Sequence, residues 1–277
     1  MPTLKQINKE KHTQHGWKLR RSMIAARKDT VVPISISEVT KLLPAYAFAF
    51  VKDAQGKFVF VAIQGIYKEE NLYVSDAGEP FFTPTPRHYH AYPFFLHEFE
   101  AEGKLQATLL FDHDSGLYRE DPQVDKGEKR FMNDEGQIDA DVEKVLVYLT
   151  ESEKWRKITQ SAVDALDEAG VLEAWEPKIE NPDPKRNLLK GFYKINLEKL
   201  NVLEGEDLKN IQKSQGFTVA YAQLFSMYRV ETLNKLHALK MKQNEAPMKE
   251  MKKHNIDNVD AFFKDTEDEI SFDWSKL

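Results

Sequence analysis

Apolar residues change rhythm once along this 277-residue chain. Up to Asp114 they come in short runs, several alternating with small or polar residues, and from Asp139 onward they recur every three or four positions. Period two suits a strand with one buried face, and the longer spacing suits a helix with one buried stripe. The pattern predicts a strand over 31–36 (VVPISI), with Pro33 placing it at a sheet edge. Ser37 is a good N-cap for a short helix that ends before Pro44. Ala45–Lys52 and Lys57–Gly65, joined by Asp53-Ala54-Gln55-Gly56, read as a hairpin. Asn71–Ser75 and Lys104–Asp112 read as further strands, and Asp76–Pro80 as a turn. The stretch 81–96 sets three prolines among four Phe and two Tyr. Proline cannot donate to a ladder, so its first half reads as an extended or polyproline-like crossing.

The second half is helical. Val142, Val145, Leu146 and Leu149, then Trp155, Ile158, Ala162, Val163, Leu166 and Ala169, keep helical spacing up to a C-capping Gly170. They form one helix or two broken near Thr150-Glu151-Ser152. A linker with three prolines spans 176–187, Gly191–Asn196 reads as a strand, and Leu197–Leu203 and Leu208–Ser214 as short helices. Phe217–Leu239 reads as one long helix, with Phe217, Tyr221, Leu224 and Tyr228 on one stripe. Asn244–Asn255 is polar, and the tail mixes acids with Phe262, Phe263, Phe272 and Trp274.

Composition narrows the class. At 41% hydrophobic and 30% charged, the chain has enough apolar material for a core and lies far from the disordered range. Its net charge of −6 argues against general nucleic-acid binding, which needs basic surface to release counterions. The first 28 residues are nevertheless basic and the last twenty or so acidic. These are solvated ends, or one of them meets an oppositely charged partner, or the two ends meet each other. No cysteine is present, which excludes disulfides, thiolate metal sites and cysteine nucleophiles and fits a cytoplasmic location. No secretory h-region follows the basic start, and no apolar run is long enough to insert into a membrane. Neither a glycine-rich dinucleotide loop nor a Walker lysine loop occurs, so no cofactor is expected.

Histidines are the main enzymatic candidates. His12 and His15 stand three apart, His88 and His90 two apart, and His97 precedes His113, which Asp112 and Asp114 flank. Two or three His with a carboxylate on one face hold iron or zinc. The candidate metal set is therefore His88, His90, His97, Asp112 and His113. Its bland counterpart is imidazoles packed among aromatics or lying at the surface. Ser161 and Ser226 lack a nucleophile-elbow context and read as packing residues. The aromatic residues Phe81, Phe82, Tyr89, Tyr92 and Phe94 are candidates to line a groove for a peptide or other extended ligand, or else form a core crossing. The acidic tail is a second candidate for docking a protein partner.

Several segments, taken in order, resemble the SapC family. They are His15-Gly16-Trp17-Lys18-Leu19-Arg20, Val32-Pro33-Ile34 running to Glu38, Pro44–Phe50, Gly65, Asn71-Leu72-Tyr73-Val74 and Tyr92-Pro93-Phe94. Arg130–Gln137 is similar to the family's Leu-Phe-Asp-x-x-Gly piece, Leu189–Asn196 follows, and Gly216–Ser226 is similar to the family's closing helix. The likeness covers residues 12–240. The family carries arginine before Tyr92-Pro93-Phe94, whereas here His88 follows Arg87, so the histidine pair is not a family-wide site and the metal reading weakens. The acidic tail is an addition. The resemblance implies no activity that transfers residue by residue; its name points to a bacterial surface layer.

The expected fold is α+β, a largely antiparallel sheet from the N-terminal half packed against helices from the C-terminal half. The expected organisation is a loosely attached basic arm (1–30), a SapC-like α+β domain (31–240) and a polar to acidic tail (241–277). The expected function is a non-enzymatic accessory or interaction protein linked to surface-layer or outer-surface proteins. The alternative is a metal-dependent oxygenase or hydrolase. Convergence of three candidate ligands favours the enzyme; an exposed aromatic patch favours the interaction protein.

Overall fold

In a computed structural model, which describes residues 3–101 and 103–245, the predicted hairpin is the centre of the protein. β4 (Ala47–Lys52) pairs antiparallel with β5 (Phe58–Ile63), in register from Ala47↔Ile63 to Lys52↔Phe58. The Asp53 carboxylate accepts the N–H groups of Gln55 and Lys57, both at 2.9 Å, and Gly56 takes a φ of 81° that side chains avoid. Alternation does the sorting. Phe48, Phe50 and Phe60 meet on one face, with ring centroids 5.4–5.5 Å apart, while Ala47 and Ala49 stand opposite Ile63 and Val61.

Among the described residues, eleven strands form three antiparallel sheets and the helices cover them, an α+β architecture. The central sheet has the order β10-β11-β4-β5-β3. β3 (Val31–Pro33) lies at its edge, as Pro33 requires. β10 (Leu172–Trp175) and β11 (Phe192–Ile195) come from the second half of the chain. Asn71–Ser75 makes only a single bridge, Val74 to Pro80, instead of a strand.

β11 meets β4 at Tyr193↔Phe50, and further along side chains of α6 (Gly216–Ser226) take over the pairing. Gln223 Nε2 donates to Phe48 O at 3.3 Å, and its Oε1 accepts from Ile195 N at 2.9 Å. Ser226 Oγ accepts from Phe48 N at 2.8 Å and donates to Gln223 O at 2.7 Å. Both side chains are fully buried. A serine bonding back onto its own helix bends it. The helix expected to run unbroken from Phe217 accordingly breaks at a 3₁₀ turn, Met227–Arg229, before α7 (Val230–Glu245).

The second sheet has the order β1-β7-β6, from Leu4–Gln6, Lys104–Asp112 and Phe94–Ala101. The third has the order β8-β2-β9, from Tyr118–Arg119, Gly16–Trp17 and Lys129–Arg130. Trp17, Phe94, Leu109, Phe111, Phe131, Met132 and Val142 make a second core. The expected loosely attached arm is thus part of the fold. Trp17 is buried against Phe94 and Phe131, with centroids 5.1 and 5.3 Å away. A Cβ on Gly16 would lie 1.9 Å from Lys129 O, so only glycine fits there. Short α1 (Lys9–His12) is capped by Asn8 and places His12 in the interior.

α2 (Val39–Leu42), α4 (Leu197–Asn201) and α5 (Gly205–Lys213) are short. α3 (Ala140–Glu168) is one continuous helix of 29 residues, capped by the Asp139 side chain, with no break near Thr150. The chain divides into two units, Met1–Ala238 and Leu239–Leu277; of the second, the described residues hold only the last turns of α7. The acidic tail with Phe262, Phe263, Phe272 and Trp274 lies outside the described residues.

Removing either side chain that completes the central sheet leaves buried backbone groups unpaired, at a cost of about 1–3 kcal/mol each. Gln223→Leu and Ser226→Ala should each lower the urea midpoint by that equivalent, and the double variant should lose less than the sum because both side chains serve Phe48. The N-terminal segment should also loosen in acid. His12 lies near His15 and His113, at centroid distances of 5.8 and 6.0 Å, and burial holds the pKa of His12 and of His113 below the usual histidine value. As pH falls below about 6.5, the unfolded imidazoles take up protons that the folded ones resist, so stability is lost. Amide exchange over residues 4–17 should quicken relative to β4–β5 between about pH 7 and pH 5, and His12→Gln should flatten that dependence.

Candidate functional site

Residues 81–96 run from one core to the other. Tyr89 is buried in the main core and donates its hydroxyl to Gln64 Oε1 at 2.9 Å. Phe82 packs on Tyr73, with centroids 5.6 Å apart, and Phe81 is half-buried. Phe94 belongs to the second core, and half-buried Tyr92 donates to Asp112 Oδ2 at 3.1 Å. The peptide bonds before Pro84 and Pro93 are cis. The five aromatics proposed to share a groove are therefore divided: Tyr89 and Phe94 sit in separate interiors, because a segment joining two cores buries its ends.

The five candidate metal ligands are spread along the chain's path. His88 and His90 are exposed around the 3₁₀ turn Arg87–Tyr89. His97 is exposed on β6, opposite Thr108, and stacks on Phe99. Asp112 is buried at the end of β7, where it caps the next turn by accepting from Asp114 N at 3.0 Å. His113 stacks on Tyr118, with centroids 4.0 Å apart. The structure brings His113 to His12 instead of to His88 or His90. Among the described residues, no group of three or more His, Cys, Asp or Glu side chains is placed to hold a metal ion.

The turn that carries Arg87 is held from both sides. Buried Glu38 accepts Ser35 N through Oε1 at 2.9 Å and Arg87 N through Oε2 at 2.7 Å. Burial raises its pKa, and these bonds draw it back down. Tyr148 on α3 donates its hydroxyl to Arg87 O at 3.1 Å, and the Arg87 guanidinium lies over the Tyr148 ring, 4.7 Å from its centroid. Sequence reading passed over Arg87, because its role comes from partners at positions 38 and 148.

The other feature stands on α6. Phe217, Tyr221 and Phe225, at four-residue spacing, stack as a ladder with centroids 6.3 and 6.0 Å apart and planes within 24° of parallel. Tyr228 follows in the 3₁₀ turn. Tyr221, Phe225 and Tyr228 face outward, 40%, 68% and 66% exposed, whereas Phe217 is half-buried against the main core. The opposite face of α6 is mostly small or polar, with Gly216, Val219, Ala220, Ala222, Gln223 and Ser226 buried. The expected stripe of Phe217, Tyr221, Leu224 and Tyr228 is only partly the observed one: the ladder runs through Phe225, and Leu224 packs on the main core.

Comparison with known proteins bears on the whole chain. The family model described as SapC matches residues 7–233. No curated protein and no solved structure matches the chain. The family match runs from the loop before α1 to the first turn of α7 and takes in both cores, the Arg87 turn and the aromatic ladder; the chain belongs to the SapC family.

Proposed function

We propose that this SapC-family protein is a non-enzymatic accessory protein that binds a protein partner through the aromatic face of α6. The observation that carries this reading is the row Tyr221, Phe225 and Tyr228, exposed on a helix whose other side is fixed in the central sheet. Tyr and Phe are enriched in protein interfaces, where rigid rings fill pockets at little entropic cost. A ridge of stacked rings suits a partner with an apolar groove, and the buried Gln223 and Ser226 hold that ridge rigid. The link to surface-layer or outer-surface proteins is part of this proposal and comes from what the family resemblance implies. No helix among the described residues is long and apolar enough to cross a membrane. The metal-dependent alternative draws no support from the spread of its five ligands.

The apolar cavity between β5, β11 and α7, lined by Ile63, Ile66 and Leu233, measures only about 90 Å³. Small-molecule sites usually measure roughly 300–1,000 Å³. A second, more open cleft of about 350 Å³ is lined by Glu128, Lys129, Arg130, Asp139 and Asp141.

Phe225→Ser and Tyr228→Ser should each weaken the bound partner by tenfold or more, the loss of about 1.4 kcal/mol or more from a central ring. Both should leave unfolding stability within about 0.5 kcal/mol, because the rings are outside the core. Quantitative affinity capture from native cells, with wild type and the double variant side by side, measures this. A partner retained equally by the double variant would remove the α6 face from the proposal.

A further inference from the structure

We propose that the cavity between β5, β11 and α7 binds a free α-amino acid whose aliphatic side chain has the size of leucine or isoleucine. The inference is independent of the α6 surface. The floor of the cavity is made by the buried side chains of Ile63, Ile66, Phe192 and Leu233. Its walls include Ile179, Leu188 and Leu189, half-buried in the loop between β10 and β11. An apolar space of this kind stays dry and takes apolar groups. Its volume of about 90 Å³ is too small for a whole ligand but fits one side chain. At about 25 Å³ per carbon, the ratio at which a cavity of about 150 Å³ takes benzene, it holds about four carbons.

Two charges of opposite sign mark the mouth. Glu176 and Lys190 line the cavity and are exposed. The strand register sets them side by side. Trp175 pairs with Phe192 at the end of the β10–β11 ladder; Glu176 follows Trp175 directly, and Lys190 lies two residues before Phe192. Neither side chain makes an ion pair or hydrogen bond with another described residue. An amino acid carries its ammonium and its carboxylate on the same carbon as its side chain. With the side chain in the cavity, the ammonium meets Glu176 and the carboxylate meets Lys190, two charge-assisted contacts. A fatty acid or an alkylamine would satisfy one of these charges and face the other with like sign, so the pair selects the zwitterion.

The walls are fixed in place. Leu189 N donates to Ile66 O at 2.8 Å, which ties the loop to the segment after β5. Asn234 on α7 holds it from the other side, accepting from Glu180 N at 3.0 Å and donating to Lys178 O at 3.2 Å. Asp183 N donates to the Tyr67 hydroxyl at 2.6 Å. A pocket held open in this way spends little conformational entropy on its ligand. Fixed walls also discriminate by size. Alanine would leave most of the cavity empty, and the ring of phenylalanine would overfill it.

The test is a calorimetric titration of the full chain, with the methyl resonances of Ile63, Ile66 and Leu233 followed in parallel. The probes are leucine, alanine, phenylalanine, 4-methylpentanoate and N-acetyl-leucine amide. Saturable binding of leucine with a Kd of about 1 mM or tighter is expected, with shifts at those methyls and the other four compounds at least about tenfold weaker. Glu176→Gln and Lys190→Gln, both at exposed positions, should each weaken leucine about threefold or more and leave thermal unfolding unchanged. Ile179→Ala, which widens the cavity, should move the preference from leucine toward phenylalanine. No saturable binding, leucine binding that leaves the three methyls unmoved, 4-methylpentanoate as tight as leucine, or leucine affinity unchanged in both folded mouth variants would each overturn the proposal. Tighter binding of the N-acetyl amide would assign the cavity to a leucine side chain of a peptide and overturn the free amino acid.

Discussion

Two hydrophobic cores depend on one helix. Val142, near the start of α3, is buried in the second core, and Ala162, Val163 and Leu166, near its end, are buried in the main core. Some twenty residues separate them, about 30 Å along the axis. The helix is amphipathic in two successive registers, each serving a different sheet. That explains why its polar middle, Thr150-Glu151-Ser152, does not interrupt it: the middle spans the gap where neither core requires an apolar residue. The aromatic-proline segment crosses the same gap on another path, and the two paths are tied together where Tyr148 meets Arg87.

Buried polar groups follow one rule with one informative departure. Gln223 and Ser226 act as a substitute strand for β4. Thr159 accepts from Ile36 N at 2.9 Å and Asn71 donates to Ala26 O at 2.9 Å, so helix and loop side chains satisfy backbone that no ladder reaches. Such pairing is general because an unmade buried bond costs about 1–3 kcal/mol. Arg87 Nε departs from this pattern, buried without an acceptor among the described residues.

The aromatic ladder follows from the same economy of space. Because α6 must bring Gln223 and Ser226 into bonding distance of β4, its inner face is built from Gly216, Ala220 and Ala222, which allow a close approach. Tyr221 and Phe225 are left outside, while Val219 is buried and Phe217 and Leu224 are half-buried against the core. A helix that packed its rings inward would stand off from the sheet and leave Phe48 unpaired. Sheet completion and outward aromatics are therefore linked.

By itself the sequence determined the elements with strong local signals. The β4–β5 hairpin was legible from alternation and its Asp–Gly turn, the edge position of β3 from Pro33, the end of α3 from Gly170, and the α+β class from the change of rhythm. It also carried the family, through ordered segments such as His15–Arg20 and Tyr92-Pro93-Phe94. Tertiary structure alone decided the rest. β1 and β2, three and two residues long, are too short to show a period and exist because β7, β8 and β9 pair with them. The direction in which the Phe217–Tyr228 stripe points was decided by β4, since periodicity locates a face without saying what lies opposite. That His12 meets His113 as well as His15 depends on a residue about a hundred positions away, and no local pattern encodes contacts at that separation.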